Sequence, residues 1–329
     1  MLYSLARPLL FALDPETAHN AALKLSGLAG LFAPQPPACP VRAMGLDFPN
    51  PVGLAAGLDK DAEHVDSLAA LGFGFLELGG VTPRPQPGNP KPRLFRIPEA
   101  RAIINRYGLN SVGVDQFVSN LSRFSKNCVI GVNVGKNKET PNEKAAEDYE
   151  SCLEKLYAHV DYVTLNVSSP NTAGLRDLQN EEFLLKLVQK VKLKREMLRD
   201  RHGRNVALAL KIAPDLDEAE IRGIATVARR ERIDGIVATN TTVQRSPAFD
   251  GSANQSGGLS GAPLHALALK TVAALRGLVG PDLPIIGVGG IDSVAKALAM
   301  RAAGADLIQI YTGLVYRGPV LVKRLVRAL

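Results

Sequence analysis

The chain has 329 residues, 46% of them hydrophobic and 22% charged, with a formal net charge of +7. That length suits one α/β barrel of about 250 residues plus an extension, and the composition is that of a folded chain with a large core, not a disordered one. With no Trp, 5% aromatics and no basic stretch interleaved with stacking residues, the sequence argues against nucleic acid as a partner and leaves small anions or lipid headgroups to explain the charge.

Residues 1–40 read as a two-helix extension ahead of a domain over 41–329. Leu2, Leu5, Leu9 and Leu13 recur at helical spacing, with Ala6 and Leu10 widening the stripe. Asp14 then caps a second helix with Pro15 at its first position; Ala18, Ala22 and Leu25 repeat the stripe with Leu28 close by, and Pro34 to Pro37 stop it. Such helices either dock on the main domain or lie in a membrane interface, and the pattern alone favours docking. The N-terminus lacks a charged leader region, and no apolar run approaches the roughly 20 residues of a membrane span, so the chain is expected neither to be exported nor to cross a bilayer.

From Val52 onward one unit repeats: a short apolar run ending in small or polar residues, then a helical segment. The eight runs are Val52 to Gly57, Phe75 to Gly80, Val129 to Gly135, Tyr162 to Ser168, Ala207 to Ala213, Gly235 to Thr241, Pro284 to Gly290 and Leu307 to Gly313. They are almost continuously hydrophobic, as parallel strands covered on both faces are, and eight of them call for a (β/α)8 barrel. Helices are expected over His64 to Leu71, Lys144 to Leu156, Glu181 to Arg199, Glu218 to Arg230, Pro263 to Leu278 and Ser293 to Ala303. The cations from Lys186 to Arg204 read as the solvated face of the third of these. Two insertions break the rhythm, at Thr82 to Phe117 and at the polar loop Gln244 to Ser256.

Cys39, Cys128 and Cys152 are an odd number at wide spacings, and the five histidines show no ligand spacing, so neither a disulfide framework nor a metal is expected. The strand ends carry the chemistry instead. Lys60 and Lys211 end the first and fifth runs, where a lysine placed for packing would be costly to bury, so together they suit an anionic ligand. Asn133, Asn166 and Asn240 end three others and can both donate and accept, which suits a heterocycle with imide or carbonyl groups. Glycines after the seventh and eighth runs suit a phosphate, though they equally suit tight turns. After the fourth run, Leu165 to Thr172 gathers hydroxyl and amide groups at one strand end; the same residues also make an ordinary strand-to-helix turn.

The ordered motifs Ala55 to Lys60, Val81 to Pro85, Asn105 to Gly108, Gly131 to Asn137, Asn166 to Thr172, Ala238 to Thr241, Gly257 to Gly261 and Gly287 to Ile291 resemble, from end to end, the membrane-associated, quinone-dependent class of dihydroorotate dehydrogenases. That resemblance implies FMN at the barrel mouth, dihydroorotate oxidised to orotate in pyrimidine biosynthesis, and a membrane quinone that reoxidises the flavin. It also implies a peripheral monomer on the cytoplasmic face of the bacterial inner membrane, held to lipid by its N-terminal helices. Ser169 would be the base that takes the C5 proton while hydride leaves C6. A hydroxyl is a weak base, so it must pass that proton on to water or to Thr172. Cytosolic classes carry Cys there, so Ser favours the quinone class.

By the same resemblance Lys60, Asn105, Asn166, Asn171 and Asn240 would grip the substrate, with Arg106, Tyr107, Gly108, Leu109 and Thr241 around it. Lys211 would lie beside the N1/C2 edge of the flavin and stabilise its anionic reduced form. Asn133 and Thr239 would bond the flavin, Gly261, Gly290, Tyr311 and Thr312 its phosphate end, and Ala56, Gly57, Lys60, Gly80 and Asn166 complete its surroundings. His19, Arg96 and Tyr311 match positions along the quinone path. Two positions depart from the family pattern: Gly80 replaces a Ser or Thr, and Leu109 a Phe beside the catalytic serine. A flavin or phosphate barrel of another function and a flavin-free scaffold are the competing readings of the residues themselves.

Overall fold

Each apolar run becomes a barrel strand in the computed structural model, which describes residues 2–31, 38–125, 128–172, 174–245 and 255–329. The prolines at 34–37, the Leu28 side chain and positions 246–254 of the second insertion lie outside the described residues. In chain order, α1 (Leu2–Ala12) and α2 (Pro15–Leu31) precede a short antiparallel pair, β1 (Val41–Ala43) and β2 (Leu46–Phe48). The barrel then begins with β3 (Val52–Leu54), α3 (Val65–Ala69) and β4 (Phe75–Val81). The first insertion supplies the hairpin β5 (Leu94–Ile97) and β6 (Ala102–Asn105), then α4 (Val114–Leu121). Next come β7 (Val129–Val134), α5 (Ala145–Leu156), β8 (Tyr162–Asn166), α6 (Glu181–His202), β9 (Ala207–Ile212), α7 (Glu218–Arg230) and β10 (Gly235–Ala238). The second insertion adds β11 (Gly258–Gly261), and the chain ends with α8 (His265–Val279), β12 (Ile285–Val288), α9 (Val294–Ala302), β13 (Leu307–Ile310), α10 (Thr312–Arg317) and α11 (Val320–Ala328).

Among the described residues, β3, β4, β7, β8, β9, β10, β12 and β13 close a parallel barrel in that order. Val129 apart, every residue of these strands is buried, because helices cover the outside and side chains fill the inside. Phe48 plugs the amino-terminal end, its ring 5.1 Å from that of Phe75. Local signals fix the helix starts: Asp217 and Glu220 exchange capping hydrogen bonds at 2.8 Å each ahead of α7, and Asn180 accepts from the Glu182 N–H ahead of α6. Stretch 262–279, reaching the end of α8, is by length and composition apolar enough to span a bilayer. It packs Ala268, Val272, Leu275 and Val279 into the core as a barrel helix.

The two insertions, read separately from the sequence, meet. Strand β11 pairs with β6, and β6 with β5, in an antiparallel sheet beside the barrel mouth. The N-terminal stripe also differs from expectation. Leu5, Leu9 and Leu13 point outward, 74%, 75% and 44% exposed. The docking face of α1 is instead Tyr3, Arg7 and Phe11: the Tyr3 hydroxyl donates to the Val315 carbonyl, Arg7 to the Tyr316 carbonyl, and Phe11 meets Tyr316 edge-on. Helix periodicity identifies a stripe but does not say which stripe has a partner. Asp14 caps α2 as expected, accepting from the Glu16 and Thr17 N–H groups.

Candidate active site

The carboxyl ends of the eight strands enclose a cavity that, mouth included, holds about 1040 Å³ of open space. Every substrate and cofactor residue implied by the resemblance lines it, with one exception. Arg106 turns away: its guanidinium lies over the Phe95 ring at 4.8 Å and donates to the Pro92 carbonyl and Gln255. Asn105, the residue before it, closes β6 facing the cavity, so its neighbour in an extended chain faces out.

Lys60 and Lys211 share this cavity. Lys60 Nζ lies 4.9 Å from the centre of the Tyr107 ring, and Arg93 lies against the same ring at 5.2 Å. Burial is the main cause that pulls the Lys60 ammonium down to about 8; Asp61 opposes the shift, while Arg93 and Lys211 add to it. A buried cation facing like charges gains most from an anionic ligand.

Amides form a directed chain across the floor. Asn240 Nδ2 donates to Asn166 Oδ1 at 3.3 Å, and Asn166 Nδ2 to Asn133 Oδ1 at 2.9 Å. Asn133 Nδ2 then donates to Glu77 Oε1 at 3.0 Å. Glu77 was not singled out in the sequence, although an acidic residue inside the otherwise apolar run of β4 is a signal that a buried partner exists. Gln309, likewise unread, lines the cavity and donates to Glu77 Oε2 at 2.8 Å. Ser169 is 7% exposed, and its Oγ accepts from the Asn171 N–H at 3.3 Å; the Asn171 side chain in turn donates to Asn105 Oδ1 at 3.1 Å.

A second, larger and mostly apolar cavity lies between α1, α2 and the barrel. His19 and Arg96 line it, with Leu10, Phe11, Ala18 and Leu23. Arg96 lies over the Phe11 ring at 4.7 Å and donates to carbonyls at the end of α1. Burial above all, then Lys60, lowers His19 to about 4, so its ring is neutral at neutral pH. Leu94, Ile103 and Tyr311 line both cavities.

The sequence profile described as dihydroorotate dehydrogenase matches residues 39–329. The chain belongs to the dihydroorotate dehydrogenase family. It is 57% identical to the dihydroorotate dehydrogenase (quinone) of Thiobacillus denitrificans, over 100% of this chain and 99% of that one. It is 54% identical to the one from Aromatoleum aromaticum, over 100% and 95%. Crystal structures of DHODH from Eimeria tenella superpose with TM-scores of 0.90 ligand-free and 0.89 with ferulenol. They are 39% and 38% identical, covering 96% of this chain and 94% and 90% of theirs.

Gly80 and Leu109, the two positions set apart in the sequence, lie against each other. A Cβ at Gly80 would stand 3.1 Å from Leu109 Cδ2 and 3.3 Å from Asn133 Oδ1, and one at Gly135 would stand 2.9 Å from Leu109 Cδ1. Leu109 therefore covers the space that a larger residue at 80 would need.

Proposed function

We propose that this chain oxidises dihydroorotate to orotate in pyrimidine biosynthesis, with FMN in the barrel-mouth cavity and a membrane quinone reached through the apolar cavity beneath α1 and α2. The observation that carries this reading is that the polar and apolar cavities share the walls Leu94, Ile103 and Tyr311. An anionic substrate and a lipid-soluble oxidant need such adjoining but unlike sites.

The residues fit FMN. Gln309 Oε1 is buried without a hydrogen-bond partner among the described residues, in a side chain that lines the cavity, which suits a ring N–H. Behind the Gly289–Gly290 loop, Asp292 meets Lys296 at 2.9 Å, Arg101 at 3.3 Å and Arg317 at 3.6 Å. Burial pushes this carboxyl up, but the cations outweigh it and hold it below its ordinary value. Three cations around one carboxylate leave a positive excess suited to a phosphate. When bound, the flavin supplies the ring that accepts hydride and gives electrons up to quinone.

The protein's share is placement and proton handling. Lys60 offers its charge to the substrate carboxylate, and the asparagines address the ring amides, fixing the ring in position. The Asn171 N–H that donates to Ser169 Oγ stabilises negative charge there as the hydroxyl gives up its proton. Thr172, whose buried Oγ1 has no hydrogen-bond partner among the described residues, is the neighbour that can take part in passing that proton on. In this reading residues 41–329 are the catalytic domain, and residues 1–40 are its quinone- and lipid-facing extension. Exposed Leu5, Leu9, Leu25 and Val320, with Lys323 beside the last, suit a lipid surface at the mouth of the apolar cavity, on the cytoplasmic face of the membrane. Nothing in this scheme requires a second subunit.

Anaerobic titration tests the scheme. Dihydroorotate should bleach the bound flavin, and a soluble quinone should restore its colour; protein that stays colourless after incubation with FMN would overturn the reading.

A further inference from the structure

Glu77 is fully buried on β4 and lies one layer beneath the cavity wall. Its carboxylate sits 3.5 Å from Lys211 Nζ and accepts from Asn133 at 3.0 Å, Gln309 at 2.8 Å and the Tyr162 hydroxyl at 3.3 Å. Lys211, Asn133 and Gln309 all line the cavity, so three groups of the wall end on this one carboxylate. Burial, and then Glu77 itself, push the Tyr162 phenol well above its ordinary value, which keeps it a donor.

A cavity floored by Lys211 alone would present a full positive charge. Paired with Glu77, it presents an ion pair whose negative end is hidden. Because a carboxylate only accepts, Glu77 also fixes which way the Asn133, Asn166 and Asn240 amides point.

We propose that Glu77 is a positioning residue that tunes the bound flavin, offsetting the charge of Lys211 and thereby holding the flavin's reduction potential below the value that an unpaired lysine would impose. The proposal rests on the FMN reading above. The physical reason is that a flavin ring gains negative charge on reduction, so a nearby unpaired cation favours the reduced form and a nearby unpaired anion disfavours it.

The test uses full-length, FMN-loaded protein equilibrated anaerobically with a reference dye. Glu77→Gln should shift the equilibrium at least tenfold toward reduced flavin, about 30 mV upward for a two-electron couple. Lys211→Met should shift it at least tenfold the other way, and the double variant should return within threefold of wild type. An unchanged potential in Glu77→Gln, or a shift in the same direction as Lys211→Met, would overturn the proposal. Should Glu77→Gln fail to fold, Lys211→Met against the double variant decides, since equal potentials in those two from pH 7 to about 9, across which an unpaired buried carboxyl ionises, would show that the Glu77 charge is not felt. Failure of wild-type protein to bind FMN would defeat the functional reading itself, whereas bound flavin indifferent to Glu77 defeats only this proposal.

Discussion

Glu16 on α2 and Arg93 just before β5 face each other across the seam between the N-terminal helices and the barrel, joined by hydrogen bonds of 2.8 and 3.2 Å. Arg93 lies against Tyr107, and Tyr107 against Lys60, so the extension is coupled to the substrate cavity through two cation–ring contacts. Glu16→Gln leaves Arg93, 8% exposed, without its counter-charge, and losing one member of such a buried pair costs about 3 kcal/mol. Faster amide exchange in α2 and several-fold weaker orotate binding should appear together; a change in only one of them would refute the coupling. Burial alone would raise the Glu16 carboxyl, but Arg93 and Lys91 outweigh it and hold it below 4.5. Its contribution to docking is therefore complete above the ordinary value and is lost as pH falls through the lowered one.

Replacing Ser169 by Ala should leave flavin binding intact while slowing flavin reduction by dihydroorotate roughly 100- to 10,000-fold, the usual worth of a positioned proton acceptor. Single-turnover absorbance measurements read this directly. A wild-type rate would remove Ser169 from its role.

Orotate affinity should be flat below pH 8 and weaken above it. Lys60 titrates at about 8 in the free site, and only its protonated form pairs with the carboxylate. Well above that value the dissociation constant should rise about tenfold per pH unit, levelling off once pH passes the higher lysine value of the complex. Flavin difference spectra across pH 6 to about 10 give the curve; a flat profile would mean that another group holds the anion.

Gly80→Thr alone should weaken FMN binding and lower stability by about 1–3 kcal/mol, because the new side chain meets Leu109 and Asn133 within 3.3 Å. A smaller residue at 109 should recover much of that loss. The double-mutant cycle on melting temperature and FMN affinity measures the coupling, and strictly additive effects would show that the two positions are independent.

Leu5→Asp with Leu9→Asp alters side chains that are about three-quarters exposed and make no core contact. Binding to anionic vesicles and turnover with a membrane quinone should fall at least tenfold, with flavin reduction by dihydroorotate unchanged. Equal loss of both half-reactions would contradict a lipid-facing role for that stripe.

The barrel was legible because each strand announces itself as an apolar run closed by small polar residues, and the pocket followed from what stood at those ends. Less local features did not show. Glu77 finds Gln309 across 232 positions of sequence, and Asn133 across 56. The β5–β6–β11 sheet unites insertions that carry no signal of one another, and two of the three cations at Asp292, Arg101 and Arg317, come from other segments of the chain. Arg106 sits inside a recognisable motif yet turns outward, since a motif fixes the backbone path more firmly than each side chain's direction.

Tyr311 belongs to the wall of both chambers. Donor and acceptor can thus be resident simultaneously without competing for space. A molecule that blocks the apolar chamber would meet walls about half of whose residues, from Tyr3 to Ser26, belong to the two N-terminal helices, so its grip can be altered there without touching the reaction centre.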